Sequence, residues 1–115
     1  MKKINAESLV DFEIGAESLL KVKIQYFGSI RMAAHKSEEK MEIASNSTVY
    51  QLLQGLIDLY GESFREEIFQ ESGEGLREDL MVTVNETIIK HVNTAEVNLK
   101  QADVIALYPL FPGGG

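Results

Sequence analysis

Polar and apolar residues alternate from Lys21 to Phe27. Val22, Ile24 and Tyr26 share one parity, and Lys21, Lys23 and Gln25 share the other. A period of two predicts a β-strand with one buried face. Gly28-Ser29 ends it, and Ile30 to His35 reads as a loop or a single helical turn. The period of two returns with Met41 and Ile43 inward and Lys40 and Glu42 outward, a second strand. Then the period changes. Val49, Leu52, Leu53, Leu56, Ile57 and Tyr60 fall on one stripe at helical spacing. Thr48 and Gln51 stand at capping-box spacing before it, and Gly61 sits where a glycine closes a helix. Gly55 within the stripe costs about 1 kcal/mol relative to alanine. It is read as allowing the sheet to approach.

Further on, Phe64, Ile68 and Phe69 mark a second, short helix, and Glu71-Ser72-Gly73-Glu74-Gly75 a loop. Leu80, Val82 and Val84 alternate with Met81 and Thr83, a strand. Asn85-Glu86 is a turn, with Asn suited to a left-handed conformation. Thr87-Ile88-Ile89 is a short return strand, and Gln101-Ala102-Asp103 leads into Val104–Tyr108. One main helix on one face of a mixed sheet predicts an α+β fold, the ubiquitin-like β-grasp. In that fold the first and last strands lie side by side and parallel, which the long connection through the helix allows. Residues 1–20 are expected to be an N-terminal extension, and residues 21–115 the folded domain. Within the extension Val10, Phe12 and Ile14 alternate with Asp11 and Glu13, as a short edge strand would. With no longer pattern to join, the segment reads as loosely held and dispensable for folding.

Composition narrows the functions. The 115 residues carry 18 acidic and 11 basic side chains, for a formal net charge of −7. Nucleic acid and anionic membrane are unexpected partners, since both require basic patches. There is no cysteine, hence no thiolate nucleophile, thiolate metal site or disulfide framework. That agrees with a cytoplasmic setting. No apolar run approaches the roughly 18 residues of a membrane span. Glu7, Asp11 and Glu13 interrupt any signal core behind Lys2 and Lys3.

The chemistry is expected at the end of the chain. Tyr108-Pro109-Leu110-Phe111-Pro112-Gly113-Gly114-Gly115 holds both prolines. Proline has no N–H and is expected to stop ladder pairing at Pro109. The glycines fit a passage too narrow for side chains, and a terminal glycine leaves its carboxylate unhindered. The arm from Pro109 to Gly115 reaches at most roughly 23–25 Å when extended. Leu110 and Phe111 are candidate anchors in a partner's apolar groove.

Val22 to Ala34, Val82-Thr83-Val84-Asn85, Asp103 to Pro109 and the closing glycines together resemble the small, sulfur-carrying subunit of molybdopterin synthase, a ubiquitin-like sulfur-carrier family. Three differences stand out: a third terminal glycine, Glu86 where glycine is common, and residues 1–20. The resemblance implies a co-substrate or non-catalytic subunit. An E1-like adenylyltransferase would use ATP to activate Gly115, with Gly114 beside it in the reactive tail. A sulfur donor protein would convert the adenylate to a thiocarboxylate. The large subunit of molybdopterin synthase would take the sulfur onto a pterin precursor, serving molybdenum or tungsten cofactor synthesis. No cofactor is bound permanently, and Pro109, Leu110, Phe111, Pro112 and Gly113 would bind the partners. A carrier for another pathway, such as thiamine, and a protein modifier joined to lysines through Gly115 are the alternatives.

Other candidates read as ordinary surface. Arg31 is a solvated cation that an acidic partner patch could use. His35 and His91 lack companions at metal-ligand spacing. Glu38-Glu39 and Glu66-Glu67 read as exposed charged faces rather than acid/base pairs.

Overall fold

The computed structural model describes residues 19–110. In chain order the elements are β1 (Leu19–Tyr26), α1 (Gly28–Ala34), β2 (Glu38–Ala44), α2 (Val49–Tyr60), α3 (Glu62–Ile68), β3 (Leu80–Val84), β4 (Thr87–Ile89), a 3-10 turn (His91–Asn93) and β5 (Val104–Pro109). The sheet order is β2-β1-β5-β3-β4. β1 and β5 pair in parallel, Ile24 against Ile105, and the other neighbours are antiparallel. This is the expected β-grasp.

β1 starts at Leu19, ahead of the expected boundary at residue 21. Leu19 and Leu20 pair with Ala44 and Ile43, so the ladder to β2 recruits residues whose own pattern shows no alternation. Residues 1–18, including the alternation at Val10, Phe12 and Ile14, lie outside the described residues.

One face of the sheet is sealed. Val22, Ile24, Tyr26, Val82, Ile105 and Leu107 lie against Ile30, Val49, Leu53, Leu56, Phe64 and Ile68 in a single core. The α2 stripe enters it as its spacing predicts, with Val49, Leu52, Leu53 and Leu56 buried and Ile57 and Tyr60 half-buried at its edge. Both halves of the capping box form: Gln51 N–H donates to Thr48 Oγ1 at 3.1 Å, and Thr48 N–H to Gln51 Oε1 at 3.0 Å. Gly61, at φ +93°, then turns the chain from α2 into α3.

Gly55 does not serve the sheet. It is exposed, and a Cβ added there meets nothing within 4 Å. The residues from Gly28 to Ala34 form two helical turns rather than one, closed by His35 at φ +63°. Asn85 and Glu86 both have positive φ, +51° and +72°, as the central pair of a two-residue hairpin turn needs. Asn85 also ties the turn to β5. Its Nδ2 donates to Asp103 Oδ1 at 2.8 Å, and its Oδ1 accepts from Val104 N–H at 2.9 Å.

Candidate functional site: the root of the C-terminal arm

β5 carries the chain out of the middle of the sheet. Pro109 does not stop the pairing as expected. It is the last residue of β5, opposite Leu80, and Leu110 N–H still donates to Asp79 O at 2.6 Å. The reason is geometric. Alternation along the strand turns the nitrogen of Pro109 away from β3, towards β1. There β1 has already ended at Tyr26, which pairs with Leu107. No ladder bond is lost by the missing N–H.

The space beside Pro109 is taken by Gly28. A Cβ on Gly28 would stand 2.6 Å from Pro109 Cγ, and Gly28 has φ +57°. One residue on each side, Phe27 and Tyr108 stack with ring centroids 4.4 Å apart and planes 7° apart. Phe27 N–H also donates to Leu107 O at 3.2 Å. The start of the arm is thus held by a stacked pair, a ring on a bare glycine and a main-chain bond.

Around this root lies the face of the sheet that, among the described residues, no helix covers. Leu107 and Val82 point into the core, so Tyr108, Met81 and Thr83 take the opposite side. Ile88, opposite Thr83 in the register, joins them and is exposed. Thr83 and Ala106 are short, and they floor a hollow of about 430 Å³ rimmed by Gln25, Asn85, Glu86, Val104 and Tyr108. Leu110 is 46% exposed and Phe27 39%. The result is an apolar rim, led by two aromatics, around the last residues of β5. Arg77 lies beyond it, paired to Asp79 at 2.9 Å. That contact holds the Asp79 carboxyl below its ordinary range.

Of the residues expected to work, Pro109 and Leu110 are at this root. Phe111, Pro112, Gly113, Gly114 and Gly115 lie outside the described residues. Arg31 is exposed on α1. His91 meets the carbonyl of Leu80 through Nε2 at 2.6 Å. Among the described residues no group of three His, Cys, Asp or Glu side chains could hold a metal ion, and no helix is long and apolar enough to cross a membrane.

The sequence reading missed Phe27, Gly28 and Ile88. A signal existed for Phe27, which has the parity of Lys21, Lys23 and Gln25 and so places an aromatic on the polar face. The reading of Glu39 as an exposed charge is also corrected. Only Glu38 is exposed. Glu39 lies under the sheet edge, accepting hydrogen bonds from the hydroxyls of Tyr26 and Tyr60, the latter at 2.5 Å, and from Lys36 Nζ at 3.3 Å. Burial works to raise its pKa, but those three donors hold it below the usual range. Burial and the Glu39 carboxylate push the Tyr26 phenol far up. Glu67 is engaged too, accepting from Ser29 Oγ at 2.6 Å.

Comparison with known proteins decides the family. The ThiS family model matches residues 24–114. The chain belongs to the ThiS family. Its fold is that of the ubiquitin-like sulfur carriers. A Pyrococcus furiosus protein described as molybdopterin converting factor, subunit 1, is 26% identical with a TM-score of 0.60, covering 78% of this chain and 97% of that one. Small archaeal modifier protein 1 of Haloferax volcanii superposes with a TM-score of 0.67 at 18% identity, over 78% of this chain and 97% of its own. A chain of the Amycolatopsis orientalis BexX/CysO complex gives 0.60 at 17%, over 81% and 99%. A search of curated proteins gave no significant match. In this ThiS-family chain the match runs through β5 and on to Gly114.

Proposed function

We propose that this chain is the small, sulfur-carrying subunit of a molybdopterin synthase, with the carboxylate of Gly115 as its working group. The observation that carries the reading is the family match running from β1 through the arm to residue 114. The likeness to the Pyrococcus converting-factor subunit favours the pterin branch over thiamine.

A carboxylate repels nucleophiles and must be activated. An adenylyltransferase of the E1-like kind would let a Gly115 carboxylate oxygen attack the α-phosphorus of ATP, releasing pyrophosphate. A sulfide-level sulfur nucleophile would then attack the acyl carbon of the adenylate, AMP would leave with its electron pair, and a thiocarboxylate would remain. Since the chain has no cysteine, the sulfur comes from outside it, and a sulfur donor protein would supply it. The large synthase subunit would next direct the thiocarboxylate at a pterin precursor. The cytoplasm, with its reduced thiols, suits such a relay. This chain's own contribution is to dock through Phe27, Tyr108, Ile88 and Leu110, and to present Gly114-Gly115 in register with the partner's reacting atoms.

The test is intact-mass spectrometry after incubation with activating enzyme, ATP and sulfur donor. Exchange of oxygen for sulfur, placed at Gly115 by fragmentation, and sulfur delivery to a pterin in the presence of the large subunit are the expected results. A thiocarboxylate that forms but never reaches the pterin would leave the carrier and remove the molybdopterin branch. Attachment of Gly115 to lysines of other proteins would replace the reading with protein modification.

A further inference from the structure

We infer that Gly28 is a positioning residue for the arm. Having no side chain, it lets the Pro109 ring seat against the body, and so sets the direction in which the chain leaves β5. The inference rests on the reading of Gly115 as the working end.

Three observations meet at this point. Gly28 has φ +57°, and its Cβ position is 2.6 Å from Pro109 Cγ and 3.2 Å from Pro109 Cδ. Contacts that close are not accommodated by a proline, whose ring cannot swing aside. Adjacent to the seat, the Phe27–Tyr108 stack and the Leu110 N–H bond to Asp79 O fix the residues before and after Pro109. Any group on Gly28 must therefore push Pro109, and with it the first bond beyond β5. The clamp also shortens the distance over which Gly115 can be carried from the body. Gly115 lies five residues beyond Leu110, and five residues span at most about 18 Å, not the reach counted from Pro109. Over that span a change of direction at Pro109 moves the position of Gly115. Misplacement of about 1 Å at a reacting group can cost about a hundredfold in rate.

The prediction is a coupling between two positions. Gly28→Ala should accelerate exchange of the Leu110 amide, because the ring is forced off its seat and the bond to Asp79 O opens. With an activating enzyme and ATP, the carrier's kcat for adenylation should fall about tenfold or more. Its KM should change less than kcat, since Phe27, Tyr108 and Ile88 of the docking rim stay in place while Leu110 alone is loosened. Pro109→Ala removes Cγ and Cδ and should loosen Leu110 by itself. Once the ring is gone, adding Gly28→Ala should change neither Leu110 exchange nor kcat further. The strain of alanine at positive φ lowers Tm in both backgrounds alike, so a purely structural role for Gly28 shows no such coupling.

Unchanged Leu110 exchange in Gly28→Ala would overturn the inference, as would the same kcat loss with and without the Pro109 ring. Should Gly28→Ala fail to fold, Pro109→Ala alone decides, and unchanged Leu110 exchange there would also overturn it. If the wild-type chain is not adenylated at all, the proposed function fails, while the exchange data still decide whether Gly28 seats the arm.

Discussion

The two faces of the sheet are built to opposite ends. The helix-covered face holds large side chains at almost no exposure, among them Ile24, Val82, Ile105 and Leu107 at 0%, packed under Leu53, Leu56 and Phe64 of the helices. The uncovered face has Thr83 and Ala106 at its centre and leaves Phe27, Ile88 and Leu110 in water. Burial of a leucine-sized side chain is worth roughly 1.5–3 kcal/mol, so the first face supplies stability. An exposed apolar rim supplies none until a partner covers it. Stability and docking should therefore respond to different substitutions.

The largest expected effect tests the covered face. Leu53→Ala should destabilise by about 2–5 kcal/mol in denaturant titration. Its counterpart, Phe27→Ala, should change stability far less yet weaken binding to the proposed large-subunit partner by more than about 1 kcal/mol if the rim holds a hot spot. Calorimetry of the complex beside urea unfolding of the free chain reads both. If Phe27→Ala unfolds the chain while Leu53→Ala does not, the division between the faces is wrong.

A polar group inside the covered face comes next. Glu39→Ala leaves the buried Tyr26 hydroxyl without its acceptor, a loss of about 1–3 kcal/mol. The pH dependence has a definite sign. The folded-state pKa of Glu39 is lowered, so its contribution is complete above the unfolded value of about 4.3. It is lost as pH falls through the lower folded value. The Tm gap between wild type and Glu39→Gln should be widest near neutrality and close on acidification. A gap that widens in acid would show that the carboxylate is not what holds the two tyrosines.

The covered face was also the legible one. Helical spacing from Val49 to Tyr60 named the stripe, and alternation from Val22 to Tyr26 named the strand against it, because burial selects residue type at a fixed period. The root of the arm was legible only in part. Pro109 and Leu110 could be marked from the proline and the closing glycines. Nothing local says that Gly28, far away in sequence, lies under the Pro109 ring, since that depends on β1 and β5 pairing in parallel. Glu39 was misread for the same reason: its partners, Tyr26 and Tyr60, come from other elements. Gly55 erred in the opposite direction. A glycine in a helix was given a packing role, and the structure leaves it facing water. Gly55→Ala should thus raise stability by up to about 1 kcal/mol, a smaller shift than those above, measured as a higher urea midpoint.

The smallest expected effect falls on the uncovered face. Glu86 holds φ +72°, a conformation that costs a residue with a Cβ roughly 1–2 kcal/mol. Glycine relieves that cost but loses about 0.5–1 kcal/mol through the greater freedom of the unfolded chain. Glu86→Gly should therefore stabilise only slightly, by about 0.5 kcal/mol, and leave the hairpin register of Val84 with Thr87 intact. Glu86 also rims the hollow floored by Thr83 and Ala106. Its carboxylate is in place to meet a basic group on a partner, in keeping with the chain's net charge of −7. If so, the variant should gain stability and lose affinity together, with the loss shrinking as salt is raised. Parallel gains in both would show that Glu86 is merely strained and that docking does not use this corner of the face.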